Sequence, residues 1–283
     1  MGSSSWQGNL RLNYGYHDGI TQVIKNISQA PLRVQKSFYP EQKDICHTAI
    51  LHTAGGIVGG DRLDVMINLG EKSQSLITTA TASKIYGAKT DPNIKQKSIN
   101  AQQTIHSHLQ SDSYLEWLPQ ETIVFDGAIY HQKHHIELEQ NALWLGWEIV
   151  RFGRSARGER FLSGSWRSHT EVWRAGIPLW IDRQWLQGGE AMINSLHGLD
   201  RCSVVGTLAL VGKTVNQDLL QNIHILSSSY SGQLAVTGLV EGLICRYRGH
   251  STSEVRTWFI AVWELLRLFY IHRPTCIPRI WLV

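Results

Sequence analysis

The chain has 283 residues, and a content of 42% hydrophobic and 18% charged residues is that of a globular protein rather than a disordered one. Its net charge of +4 comes from lysine and arginine residues that are spread without a basic run, which argues against nucleic-acid binding. Because the sequence shows neither a leader nor an apolar run long enough to span a membrane, we expect a cytoplasmic protein that has no membrane partner and keeps its four cysteines reduced.

Residues 10–210 are predicted to form many short strands. Apolar and polar residues alternate there with the period of two that is typical of a strand, for example in residues 45–52 and 65–69. Turn signals interrupt this alternation at intervals, among them Gly70, Asp126-Gly127, Gly153, Gly164, Gly176 and Gly188-Gly189. The pattern favours an all-β fold, which could be a sandwich, a barrel or a β-helix.

A glycine-rich loop lies between two of these strands, in the stretch LHTAGGIVGGDRLDV of residues 51–65. It is not a phosphate-binding loop, because Asp61 stands where the nucleotide motif requires a lysine, and the dinucleotide pattern is absent as well. The plain interpretation is a structural connection with a surface Asp61–Arg62 ion pair. Its four glycines are Gly55, Gly56, Gly59 and Gly60.

Histidines give no clear metal site. On a strand, His131 and His135 would share one face while His134 takes the other, so the three cannot converge without a bend. A solvated strand face is the better interpretation. His52 would share a strand face with Cys46, but such a pair more often packs than binds a metal.

Five carboxylates stand beside glycine, proline or aromatic residues instead of in surface charge runs: Glu41, Asp61, Asp126, Glu148 and Glu159. If several converge, they could serve as the acid and base of a glycosidase-like reaction or as oxygen ligands for a cation. Pairing with nearby arginines is the alternative. Spacing alone does not decide among these interpretations.

The C-terminal part changes character, with helical segments predicted within about residues 213–272. Residues 215–225 suit a short helix. Ser251 and Glu254 have the spacing of a capping box in front of a segment with an apolar stripe, and Arg273-Pro274 would end that helix. No linker divides the chain, so one domain over residues 1–283 is expected.

Six sequence blocks together resemble the urease accessory protein UreD family, called UreH in some species. They occur in the family's order over almost the whole chain: PLRVQKSFYPE (31–41), LHTAGGIVGGDRL (51–63), ITTATASKIYG (77–87), YLEWLPQETIVFDGA (114–128), GRSARGERFLSG (153–164) and PRIWLV (278–283).

The resemblance implies a non-enzymatic chaperone of urease maturation. Family members connect the urease apoprotein to a second accessory protein, UreF, which carries the GTPase UreG, and the complex inserts nickel. The implied fold is an elongated, β-helix-like stack of strands with a small helical part. No tightly bound cofactor is implied, only nickel(II) in transit.

The family is also thought to conduct nickel through an internal tunnel. A transit site must release its ion, which favours scattered carboxylates, so we expect the tunnel residues among Glu41, Asp61, Asp126, Glu148 and Glu159. Asp61 is the strongest of these candidates, because the glycines around it let the backbone approach closely. Two other function classes stay open. A β-helical carbohydrate-active hydrolase would use a carboxylate pair, and an interaction scaffold without a metal path would depend on exposed tryptophans.

Overall fold

The computed structural model describes residues 5–87, 99–154 and 157–281, and this part of the chain is mainly β. The strands are β1 Gln7–His17, β2 Ile20–Gln29, β3 Leu32–Val34, β4 Ile45–His52, β5 Arg62–Leu69, β6 Gln74–Thr79, β7 Ser83–Ile85, β8 Ala101–Leu109, β9 Tyr114–Trp117, β10 Thr122–Val124, β11 Ile129–Leu138, β12 Leu143–Phe152, β13 Ser165–Arg174, β14 Ile177–Gln187, β15 Val204–Val211, β16 Gln233–Leu239 and β17 Gly242–Gly249. The helices are α1 Glu190–Asn194, α2 Gln217–Ser227, α3 Thr252–Tyr270 and a 3₁₀ helix, Arg279–Trp281.

The strands form two sheets. The first has seven strands in the order β14-β13-β11-β8-β5-β1-β2, and the second has ten, with β16-β17-β15-β12-β9-β6-β4-β3 as its main path. Between β4 and β12 the chain passes repeatedly from one sheet to the other, so strands that neighbour each other within a sheet run parallel there.

Antiparallel strands flank the parallel ones in both sheets. In the first sheet the hairpins β1–β2 and β13–β14 supply them, and in the second sheet β3 and the meander β15–β17–β16 do so. The mainly β class with a small helical part is therefore confirmed. The expected β-helix-like stack is not: the sheets are mixed rather than solenoidal, because tight turns reverse the chain at their edges.

Two apolar cores hold these layers together. The first lies between the sheets and is built from inward-facing strand residues, such as Leu63, Val65 and Ile67 of β5, which alternate with more exposed neighbours. The second lies on the other face of the ten-stranded sheet, where α3 packs. Three of the four cysteines are buried, and all four are free thiols.

The helical C-terminal region agrees with its sequence signals. Helix α2 begins after Asn216, whose side chain accepts a hydrogen bond from the Leu219 backbone N–H. Helix α3 begins after Ser251, whose Oγ accepts from the Glu254 N–H at 3.1 Å. The Glu254 carboxylate does not complete the capping box, since it binds Ser231 instead. Within the described ranges, no helix is both long and apolar enough to cross a bilayer.

Candidate functional site

The glycine loop lies against the block ITTATASKIYG of residues 77–87. The Ile57 N–H donates to the Lys84 carbonyl oxygen at 2.8 Å, and the Tyr86 N–H donates to the Ile57 carbonyl oxygen at 2.8 Å. This contact requires Gly56, because a Cβ at that position would lie 2.2 Å from the Tyr86 ring. The two blocks, separate in sequence, therefore form one structural unit.

Asp61 is fully buried at the end of this loop, and both of its carboxylate oxygens already accept hydrogen bonds. Oδ1 accepts from the Trp6 backbone N–H at 2.8 Å, and Oδ2 accepts from the Val58 N–H at 2.9 Å. Arg62 does not pair with the carboxylate but donates to the carbonyl oxygens of Asp61 and Asn100. The expected surface ion pair is absent here, and the side chain of Asp61 fixes the turn.

A cavity of about 320 Å³ opens beneath the glycine loop. His52, the last residue of β4, contributes its imidazole ring to the wall, and Gln103 contributes from β8 in the other sheet. Apolar side chains from both sheets form part of the lining, and the hydroxyl-bearing residues of the wall are Thr79, Thr81 and Ser83. The cavity thus combines apolar walls with a few polar groups, as ligand sites commonly do.

A row of polar side chains leads from this cavity into the space between the sheets. The Tyr130 hydroxyl lies 2.7 Å from Gln103 Oε1 and 3.3 Å from Gln132 Oε1. Gln132 Nε2 donates to Glu148 Oε1 at 3.0 Å. This row, which we call the interior polar route, consists of Gln103, Tyr130, Gln132 and Glu148.

Glu148 ends the interior polar route at a second, smaller cavity of about 20 Å³, enough for about one water molecule. Its Oε2 accepts from Ser168 Oγ at 2.8 Å. Burial is the main cause that raises the pKa of the Glu148 carboxyl to about 7; the Asp182 carboxylate adds to the rise, while the hydrogen bond from Ser168 and the positive charge of Arg246 oppose it. Near neutral pH this carboxyl is therefore present in both its protonated and its ionised form.

Glu41 belongs to a different place, a buried ionic cluster under α3. Arg267 is fully buried and binds Glu41 through both terminal nitrogens, at 2.7 and 3.0 Å, while its Nε donates to Glu116 at 2.9 Å. His47 Nε2 lies 2.6 Å from Glu41 Oε1. Burial would raise the pKa of Glu41, but hydrogen bonds from His47 and Arg267 lower it more, so the carboxylate stays ionised. Glu41 is engaged in stabilising the fold.

Asp126 and Glu159 hold the segment that follows β12. Asp126 Oδ1 accepts from the backbone N–H groups of Leu162 and Ser163, both at 2.8 Å. Glu159 forms a two-point pair with Arg154, at 2.6 and 3.0 Å. Hydrogen bonds from Arg154 lower the pKa of Glu159, although burial opposes the shift. Glu159 is thus bound within its own loop, and Asp126 binds the same loop from the turn between β10 and β11.

The five carboxylates do not meet in one cavity. Glu148 is the member that lies on the interior polar route, whereas the other four bind backbone N–H groups or cationic side chains elsewhere. In residues 5–87, 99–154 and 157–281, no three His, Cys, Asp or Glu side chains are grouped so as to hold a metal ion. An ion bound by one or two of these side chains would need further ligands, such as carbonyl oxygens or water.

Sequence reasoning missed the other members of the route. The available signal was strand parity: Tyr130, Gln132 and His134 alternate in step with Ile136 and Leu138, which are buried. Polar residues at inward positions of a strand indicate a polar interior. The predicted division of the histidines between the two faces of the strand is confirmed. His134 is buried, with its Nε2 2.9 Å from Ser107 Oγ, while His131 and His135 lie on the other face.

The sequence of this chain matches a known protein family. The profile of the UreD urease accessory protein family matches residues 7–282. The urease accessory protein UreD of Nostoc punctiforme is 52% identical over 99% of this chain and 98% of its own length. Those of Thermosynechococcus vestitus and Methylobacillus flagellatus are 46% and 37% identical, each over 98% of this chain and over 99% and 94% of their own lengths.

Proposed function

This chain belongs to the UreD family of urease accessory proteins, with a role in urease maturation, and we propose that it acts there as a non-enzymatic scaffold that passes nickel towards the urease active site. In this proposal it connects the urease apoprotein to UreF, and through UreF to the GTPase UreG. GTP hydrolysis is assigned to UreG, and nickel(II) is cargo held only in transit. The sequence resemblance that led to this proposal is confirmed at the family level.

The interior polar route is the observation that carries the nickel part of the proposal. It joins the cavity beneath the glycine loop to the small cavity at Glu148, across the space between the two sheets. Amide and phenol oxygens with one carboxylate are weak, exchangeable ligands, which suits an ion that has to move on. The narrow end at Glu148 would require the ion to shed part of its water, which those oxygens can replace.

Of the carboxylates expected to serve nickel, Glu148 has the strongest support, because it ends the route and titrates near neutral pH. Glu41, Asp61, Asp126 and Glu159 remain candidates only in the sense that they could exchange their present partners for an ion. Each would then leave backbone N–H groups or an arginine without its acceptor.

The hydrolase alternative finds less support. A retaining or inverting glycosidase needs two carboxylates flanking a space large enough for a sugar ring. Glu148 borders a cavity of about 20 Å³ only. The scaffold alternative without a metal path differs from our proposal in one respect, since it gives the interior polar route no role.

The test reconstitutes urease activation. Urease apoprotein, UreF and UreG are combined with nickel and GTP, with and without this chain, and both urease activity and nickel per active site are measured. We expect activation and nickel loading to depend on the chain. Equal loading without it would contradict the proposed function, whereas loading that needs the chain but tolerates Glu148→Gln and a blocked route would favour the scaffold without a metal path.

A further inference from the structure

Strand β14 lies at the edge of the seven-stranded sheet, and among the described strands it pairs with β13 alone. In an antiparallel pair, every second residue directs its N–H and C=O groups away from the partner strand. No described residue forms a backbone hydrogen bond with these outward groups of residues 177–187. Pro178 and Leu179, which has no opposite residue on β13, disturb the start of the strand, so the free edge runs from residue 180 to residue 187.

Three side chains on the solvent face of this edge form a row: Ile181, Arg183 and Trp185. They alternate with residues that point into the space between the sheets, among which Trp180 and Leu186 are buried. Ile181 is 40% exposed and Trp185 is 61% exposed. An edge strand that keeps large apolar side chains in solvent is a typical site for the addition of a further strand.

Two arginines beside Trp185 lack a carboxylate partner. Arg167 lies opposite Trp185 on β13, and its guanidinium carbon is 4.9 Å from the centre of the indole ring. Over the described ranges, neither Arg167 nor Arg183 forms an ion pair. The nearby carboxylate of Glu171 is already bound by one lysine and two histidines. This part of the edge therefore carries positive charge that no neighbouring carboxylate compensates.

From the free edge, the apolar side chains and the two unpaired cations, we infer that β14 binds an extended segment of a partner protein, which joins the seven-stranded sheet as an eighth strand. Alternate side chains of that segment lie beside Ile181, Arg183 and Trp185. The chemistry that fits is an apolar, an acidic and an apolar residue at positions i, i+2 and i+4, because the acidic side chain pairs with Arg183 and the apolar ones cover its neighbours. The positions between them are polar, since they lie next to Asp182 and Gln184. The inference goes beyond the proposed function, which assigns no surface of this chain to a partner.

Charge favours such a partner over a second copy of this chain. Two β14 edges related by a twofold axis would bring Arg167 and Arg183 of both copies to one interface. Four guanidinium groups would meet there, while the carboxylate of Glu171 in each copy is already bound. Like charges on neighbouring strands destabilise their pairing, whereas an acidic segment turns the same arginines into favourable contacts.

A peptide of the stated pattern tests the inference on the full chain. The probe is fluorescein-labelled Thr-Val-Thr-Glu-Thr-Val-Thr, and its binding is measured by fluorescence anisotropy at low ionic strength. We expect saturable binding that becomes at least about fivefold weaker when lysine replaces the glutamate of the peptide. Arg183→Glu should reverse this preference, so that the variant binds the lysine peptide more tightly, which a loss of folding cannot do. Arg11→Glu is the matched control, because Arg11 is exposed on β1, far along the same sheet, and should leave the preference unchanged.

Hydrogen exchange of the wild-type chain locates the binding site. Amides of residues 180–187 that point away from β13 should exchange more slowly when the glutamate peptide is bound. The inference is overturned by absence of binding, by equal binding of both peptides, or by binding without protection of β14. A dimer of the peptide-free chain that protects the same amides would assign the edge to a second copy and overturn it as well. Urease activation is measured without the peptide, so the proposed function and this inference can fail separately.

Discussion

At the residue scale, one arginine holds together groups that lie far apart in the sequence. Arg267 of α3 binds Glu41, which precedes β4, and Glu116 of β9, all within the buried interior. Removing one partner from such a cluster leaves the other charges buried and unpaired, which costs far more free energy than breaking a surface ion pair. The cluster therefore fixes α3 on the ten-stranded sheet.

Replacing Arg267 by methionine should destabilise the protein by about 3–5 kcal/mol, because both carboxylates stay buried without their cation. The control is Arg160→Met, which breaks an equally well-formed two-point pair with Glu190, at 2.9 and 3.0 Å, but on the surface. That variant should lose less than about 1 kcal/mol. Urea unfolding measures the free energy of unfolding of both variants. Equal losses would mean that burial of the cluster does not add to its contribution to stability.

Glu148 should make stability depend on pH in an unusual direction. Its folded pKa of about 7 lies above the unfolded value, so the native state binds the extra proton and stability falls as pH rises towards 7. Glu148→Gln should remove this slope and stabilise the protein at pH 8, by up to about 3 kcal/mol.

Glu159→Gln is the control with the opposite sign. The pKa of Glu159 is lowered by Arg154, so its contribution is present above the unfolded pKa and is lost as pH falls through the folded one. Thermal unfolding from about pH 2 to 8 should give difference curves of opposite slope for the two variants, between the ordinary pKa and pH 7 for Glu148 and below the ordinary pKa for Glu159. Parallel curves would contradict the assignment of Glu148.

At the element scale, the conformation of the glycine loop depends on its close contact with β7. The sequence predicted a glycine-rich connection between two strands, and Asp61 argued against a nucleotide-binding loop there. It did not show that the two adjacent glycines differ. A Cβ at Gly55 would meet no atom within 4 Å, whereas at Gly56 it would also lie 2.8 Å from the Lys84 carbonyl oxygen.

Gly55→Ala should therefore be tolerated within about 0.5 kcal/mol. Gly56→Ala should cost about 2–4 kcal/mol, because the loop has to move away from β7. The same displacement would disturb the Ala54 carbonyl and its contact with the His52 ring. Chemical denaturation of both variants provides the measurement. If both variants behave alike, the loop does not depend on this contact.

At the scale of the whole molecule, the interior polar route passes from one sheet to the other. Gln103→Leu should interrupt it with an apolar side chain and lower nickel loading of urease by about tenfold or more. Gln102→Leu is the control, since the neighbouring residue on β8 faces away from the space between the sheets. Nickel per active site is measured with both complexes intact. Normal loading with Gln103→Leu would show that nickel takes another way.

The class of fold could be predicted from sequence, and the route could not, for a physical reason. Alternation within β5 and β11 depends only on neighbouring residues, and so do the caps of α2 and α3. Where a carboxylate finds its partner depends on strand order. The residues near Glu41 in the sequence do not predict its pairing with Arg267. Likewise, the residues near Glu148 do not predict its hydrogen bond with Gln132, which lies on a strand of the other sheet.

The same separation has a consequence during synthesis. The seven-stranded sheet is complete in sequence at Gln187, whereas Arg267 follows Glu41 by 226 residues. At about 5–20 residues per second, a nascent chain carries Glu41 for roughly 10–45 s before its cation has been made. Over that time the ten-stranded sheet has no α3 to cover it. Until α3 has been made, the apolar residues of the ten-stranded sheet that pack against it in the second core stay uncovered on that face.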